Sequence, residues 1–211
     1  MGVGDAEHGT ALRHHSVRAD AVEDGLLDRF TAHPVFSHIE QIGQDAFLEV
    51  LLQRRFLSLM FPVMYDIGID GLTDPTAVKV VREILREEYP DPSGATPSHR
   101  EDLVADLVTL GATRAQVLAS RPTAVTRAVI DRSFALLAEA TEGDSDLELM
   151  TIIRFWGEDS ATHSGRLGAC LVRLLAGEDG EERFAATEAR VLALRLEFYD
   201  QFRATPGRAN G

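Results

Sequence analysis

Residues 47–61, Phe-Leu-Glu-Val-Leu-Leu-Gln-Arg-Arg-Phe-Leu-Ser-Leu-Met-Phe, are apolar on most sides when wound at 3.6 residues per turn. A helix of that kind has little surface to offer water, so it needs neighbours around it and belongs at the centre of a bundle. The helix begins near Gln44, and Pro62 should kink it, because the ring removes one hydrogen bond and clashes with the preceding turn.

Almost every other interior segment has the helical period, and no stretch shows the alternation of a half-buried strand between hairpin turns. The chain is therefore expected to be all-α. A first helix covers about Ala21 to Ile42, broken at His33-Pro34, and the apolar run is the second. Thr73-Asp74-Pro75 starts a third, with a capping residue before a proline whose missing N–H costs nothing there. It ends by Tyr89, since Pro90 disfavours helical geometry in the residue before it. Ser98 and Glu101 frame a capping box for a fourth helix, which Gly111 ends in a left-handed conformation. A fifth runs about Thr123 to Ala140, a sixth Leu147 to Ala176 and a seventh Glu181 to Phe202. Residues 1–20 read as a mobile arm carrying His8, His14 and His15, residues 21–204 as one helical domain, and residues 205–211 as a tail.

A chain of 211 residues is long enough for a full core. Its net charge of −13 argues against nucleic acid or an anionic membrane as partner, since either needs a basic face. No segment has the apolar length of a membrane span, and the first twenty residues lack the apolar core of a secretory signal. A single cysteine, Cys170, excludes an internal disulfide framework, and a reducing cytoplasm is the expected setting. An exposed apolar helix face would support a homodimer.

The candidate chemistry lies on consecutive helices. Glu88 follows Val81, Ile84 and Leu85 at offsets of seven, four and three, so it continues an apolar stripe, whereas Glu87 falls nearer its boundary. An ionised carboxylate on a core face needs a cation, a donor or a metal, because bare burial costs several kcal/mol. A salt bridge to arginine would meet that need as well. His99 heads the next stripe, with Leu103, Leu107 and Leu110, either as a ligand or as a satisfied core histidine.

On the sixth helix the stripe of Leu149, Ile153, Trp156, Ser160, His163, Leu167, Cys170 and Leu174 turns polar in the middle. Asp159 and His163 are four apart, a spacing that gives two metal ligands or a carboxylate orienting an imidazole. Glu158 falls beside Phe155, Ala161, Thr162 and Gly165, where small side chains leave room for a ligand. The plain alternative is one solvated turn with an ion pair near Arg154 or Arg166. Glu139 and Glu142, and the pair Asp66 and Asp70, are weaker candidates, with solvent exposure the default. Tyr65 and Trp156 are better read as core than as pocket lining, and Cys170 has no activating neighbour.

These residues, in this order, resemble the heme-oxygenase-like superfamily, and within it the heme-oxygenase-like di-iron oxidases. The resemblance rests on His33-Pro34-Val-Phe before a long kinked helix, on Glu88-Tyr-Pro90, and on Ser98-His99-Arg100 opening a helix that ends in Leu-Gly. It implies a single-domain seven-helix bundle in which Glu88 and His99 match the family's first carboxylate and first histidine ligands. The family's later His-x-x-x-Asp-x-x-His run is missing here. In one register His163 is its last histidine, with Trp156 and Ser160 at the other positions. In the other, Glu158 is the second glutamate and the run falls on Thr187, Val191 and Leu194, which cannot bind iron.

The expectation is an O₂-dependent non-heme iron oxidase or oxygenase acting on a small amine, amino acid or acid. Glu88, His99, Glu158 and His163 would hold Fe(II), as one or two ions or with the metal lost, and Asp159 and His163 would do acid/base work. Two alternatives keep the bundle. One is a metal-free enzyme like thiaminase II or a quinone synthase, and the other is a non-catalytic protein that binds a small molecule or a partner.

Overall fold

The structure is a computed structural model that describes residues 21–22, 24–89, 99–156, 161–176 and 179–203, with residues 99, 100 and 161–164 described by backbone alone. All regular structure among them is helical. In chain order come α1 (24–31), α2 (Pro34–Ser37), α3 (Gln44–Gly71), α4 (Pro75–Glu87), α5 (His99–Thr109), α6 (Arg114–Ala119), α7 (Ala124–Glu142), α8 (Asp146–Trp156), α9 (Ala161–Leu174) and α10 (Gly180–Asp200).

The apolar run becomes α3, which continues through Pro62 to Gly71 and packs against α4, α5, α7 and α8. Cross-contacts set the directions of its neighbours. Gln53 Oε1 accepts from Thr123 N at 3.0 Å and from Thr126 Oγ1 at 2.9 Å, while Thr141 lies against Gly71, so α7 runs parallel to α3. Ile153 lies against Gly68 and Leu149 against Gly71, so α8 runs antiparallel. Helix α10 is parallel to α8, since Arg183 bonds Glu148 at its start and Arg195 covers Trp156 at its end.

Most buried apolar residues form one cluster that includes Met64, Tyr65, Val81, Ile84, Ile153, Leu167 and Phe198. A smaller cluster of Leu107, Ala112 and Val117 sits under Leu48, Leu51 and Leu52 of α3. Each fully buried Leu, Ile or Phe contributes roughly 1.5–3 kcal/mol, so packing rather than helix propensity holds the bundle.

The His33-Pro34-Val-Phe motif is a corner. Val35 N donates to His33 Nδ1 at 3.2 Å, so the imidazole ring caps α2, and Pro34 takes the position where no N–H is needed. With Nδ1 accepting, the proton is on Nε2, which donates to Asp200 Oδ1 at 3.0 Å. Phe36 packs edge-on against Tyr199 at 4.6 Å between ring centres, so the corner is tied to the end of α10.

The first helix is broken at His33-Pro34 as expected, into α1 and α2, and a 3-10 turn follows at Ile39–Gln41. Two expectations are corrected. A short helix, α6, follows α5, started by a capping box in which Gln116 N donates to Thr113 Oγ1 at 3.1 Å and Thr113 N to Gln116 Oε1 at 2.7 Å. The predicted sixth helix is two helices, α8 and α9, that fold back on each other, since Gly168 faces Arg154 Nε across the seam. A continuous helix would hold those positions about 21 Å apart at 1.5 Å per residue.

Candidate functional site

Glu88 is the C-terminal cap of α4 and is 9% exposed, on the same face as Val81, Ile84 and Leu85. Burial of this carboxylate matches the stripe read from sequence, and it interacts with other groups rather than standing alone. Glu87, one residue earlier, points outward.

The α4–α9 seam decides what lies beside Glu88. Arg173, late in α9, donates to Asp74 Oδ2 at the start of α4 at 2.9 Å. Arg166, earlier in α9, donates to Glu83 Oε2 at 2.7 Å and to Glu87 Oε1 at 2.9 Å near the end of α4. The helices are therefore antiparallel, and the first turn of α9, which carries His163, stands level with the last turn of α4. The hydrogen bond that Arg166 donates to the Glu87 carboxylate raises the affinity of the guanidinium for its proton above the usual arginine value.

Helix α5 makes its main contacts with α3 and α6. Gln44 Nε2 donates to Leu110 O at 3.4 Å, and Gly111, at φ +110°, lies against the same glutamine, so the end of α5 is fixed at the start of α3. Eleven residues at 1.5 Å each carry the His99 end of α5 roughly 16 Å along α3, toward its middle. Thirteen residues of α4, folded back from Gly71, bring Glu88 toward the same level.

Glu158 and Asp159 lie outside the described residues, as do the side chains of His99 and His163. The Ser98 half of the capping box and the Asp159–His163 helical spacing fall there too. Among the described residues no three of His, Cys, Asp and Glu stand together as a metal cluster.

The alternative register of the missing run falls on the inner face of α10. Thr187, Val191 and Leu194 are all buried there, so that face is packed with side chains that cannot bind iron. The single stripe predicted from Leu149 to Leu174 is divided by the hairpin. Leu149, Ile153 and Trp156 belong to α8, and Leu167, Cys170 and Leu174 belong to α9.

Trp156 ends α8 with its ring buried and its indole Nε1 without a hydrogen-bond acceptor among the described residues. An unmet buried donor costs about 1–3 kcal/mol. Tyr65 is fully buried and packs edge-on to Phe61 at 4.2 Å, as core. Asp66, Asp70 and Glu142 are exposed, and Glu139 pairs with Arg190 on the surface. Cys170 is buried, and desolvation pushes its thiol up from the usual range, which keeps it protonated and unreactive.

Sequence reasoning missed one group. Arg154 Nη1 donates to Glu188 Oε1 at 3.4 Å between α8 and α10, both side chains largely buried, and Arg195 lies beside them along a cleft of about 230 Å³. Glu188 follows Thr187 on α10 by one residue, and only the α8–α9 hairpin, unread in the sequence, aligns Arg154 with it.

No known family model and no curated protein matches this chain. No helix among the described residues is long and apolar enough to cross a membrane.

Proposed function

We propose that the chain is an O₂-dependent non-heme iron oxidase or oxygenase of small molecules, with its metal held by residues from the end of α4, the start of α5 and the α8–α9 region. The observation that supports it is the antiparallel α4–α9 seam, which brings the His163 turn level with a buried glutamate, Glu88. Glu88, His99, Glu158 and His163 form a two-histidine, two-carboxylate donor set that suits Fe(II). Because Thr187, Val191 and Leu194 fill the inner face of α10, one ion fits this chain better than two.

A ferrous ion would supply activation of O₂ for oxidation of a bound small molecule. The chain's own part is to hold that ion and keep water out. Glu88 offers a carboxylate fixed by the end of α4, Asp159 would fix the tautomer of an imidazole, and Trp156 closes the end of α8 with an apolar ring. A cytoplasmic setting fits this reading.

Anaerobic loading with Fe(II), followed by metal analysis, tests the proposal. About one iron per chain is expected, and Glu88→Ala should abolish retention. Failure to retain iron, or equal retention by the variant, overturns it.

A second reading, metal-free catalysis or binding on the same bundle, is favoured by the apolar packing of α10 at the positions of the missing run. It predicts full activity or ligand affinity in the presence of a chelator.

A further inference from the structure

The His33 side chain is 1% exposed, and both of its ring nitrogens are engaged. Nδ1 accepts from Val35 N at 3.2 Å and Nε2 donates to Asp200 Oδ1 at 3.0 Å, so the neutral ring carries its proton on Nε2. The charged and titratable groups that face the ring among the described residues all come from the end of α10. They are Asp200, Arg203, whose Nε stands 3.3 Å from Nε2 and pairs with Asp200, and Tyr199, 6.1 Å away between ring centres. From α2 the ring meets Phe36, at 6.2 Å between centres, and on the α1 side the Phe30 carbonyl accepts from His33 N at 3.0 Å.

Imidazole is the side chain whose charge ordinarily changes between about pH 5 and pH 8. A second proton on this ring has only Nδ1 to go to. It turns that nitrogen from acceptor into donor and sets it against the Val35 N–H, so the α2 cap is lost. Asp200 accepts from Nε2 in both charge states, so the tie to α10 survives. Proton uptake and loss of the cap are therefore coupled: acid favours the uncapped corner and base the capped one.

The corner supports more than its own short helix. Phe36 of α2 packs on Phe30 at 4.4 Å between ring centres, and Phe30, with Leu26 and Leu27, forms the α1 wall of the cleft against α8 and α10.

We propose that His33 is a pH-sensitive latch. The neutral ring caps α2 and holds the α1–α2 corner closed; the imidazolium keeps Asp200 but releases α2, and with it the support that Phe36 gives to the Phe30 wall of the cleft. The latch uses no residue of the proposed iron site, so its test needs no added metal.

The test is NMR on the full-length protein between about pH 8 and pH 5, the range of ordinary histidine titration. Long-range proton–nitrogen spectra follow the imidazole nitrogens of His33 and His38. Hydrogen exchange, corrected for its intrinsic pH dependence, follows the amides of Val35, Phe36 and Ser37. The expected result is the Nε2–H tautomer of His33 at high pH and uptake of a proton at Nδ1 on acidification. Over the same interval the α2 amides should lose about fivefold in protection, the factor that a typical helix cap is worth, while those of α7 do not change. His33→Asn, whose amide caps without titrating, should hold α2 protection constant. That variant retains His38, whose Nδ1 meets Ser37 Oγ at 2.9 Å at the other end of α2, so it separates the two histidines. If the variant does not fold, the unmodified protein decides, by whether the amide transition follows the His33 ring or the His38 ring. A His33 ring still neutral at the acid end, α2 protection unchanged as Nδ1 is protonated, an amide transition that follows His38, or an equal loss in His33→Asn each overturns the latch.

Discussion

Ile153 of α8 fills the notch that Gly68 leaves in α3. A Cβ on Gly68 would overlap Ile153 Cδ1, and Ile153 is fully buried, so its side chain must shift within the core. The absent side chain lets the two most connected helices of the bundle approach closely. Gly68→Ala should therefore destabilise the protein by about 1–3 kcal/mol, despite the helix preference of alanine. Ile153→Val removes the overlapping methyl, so the double variant should recover part of that loss. Urea denaturation of the four proteins measures the coupling, and strict additivity would contradict the close approach.

Gln53 meets four partners from the middle of α3. Its Oε1 accepts from Thr123 N and Thr126 Oγ1, and its Nε2 donates to Arg121 O at 3.0 Å and to Glu49 Oε1 at 3.4 Å. Gln53→Leu keeps much of the volume but leaves the start of α7 with unmet polar groups. A loss of about 2–3 kcal/mol is expected, with the midpoint shifted and the denaturant slope unchanged.

His33 joins the first corner of the chain to the last turn of α10. His33→Ala removes the α2 cap and the bond to Asp200 together, and should cost about 1–3 kcal/mol. Asparagine can still cap a helix, so His33→Asn should recover part of the loss. Hydrogen exchange should show the weakening first in α2 and at the end of α10 if the link is local.

The strongest local signals gave the architecture its outline. Asp74-Pro75 starts α4 with Ala77 N donating to Asp74 Oδ1 at 2.7 Å, and Gly111 ends α5 at positive φ, both as their residue types require. The α8–α9 hairpin was hidden because apolar residues on both sides of Gly157 keep a compatible period, and period alone does not reveal a reversal. Helix α6 was too short to show one. At the candidate site, burial of Glu88 was legible from its offsets to Val81, Ile84 and Leu85, all within one helix. The Arg154–Glu188 pair was not, because it depends on which helices meet, and no local pattern fixes that.

The α4–α9 seam offers a test that separates positioning from folding. Arg166 is partly exposed, so Arg166→Met should change stability by less than about 1 kcal/mol. If the seam positions the first turn of α9 for iron, the variant should nevertheless bind Fe(II) more weakly, and Arg166→Lys should restore only part, since lysine cannot bridge Glu83 and Glu87 with a planar fork. Equal iron affinity in all three proteins would remove Arg166 from the site.

Cys170 links the core to pH. Burial raises its thiol pKa in the folded protein, and the neighbouring Arg173 only partly opposes that. The folded state then holds the thiol proton more tightly than the unfolded chain. Its contribution to stability is intact below the unfolded thiol's pKa and is lost as pH rises through the ordinary thiol range toward the raised folded value. Cys170→Ala should flatten the alkaline decline of stability, at the cost of a small cavity beside Leu167 and Leu171. Denaturation midpoints measured from neutral to alkaline pH check this: parallel declines in the two proteins would show that the thiol does not set the slope. The same burial predicts that a thiol reagent at neutral pH reacts with Cys170 only as fast as the bundle opens.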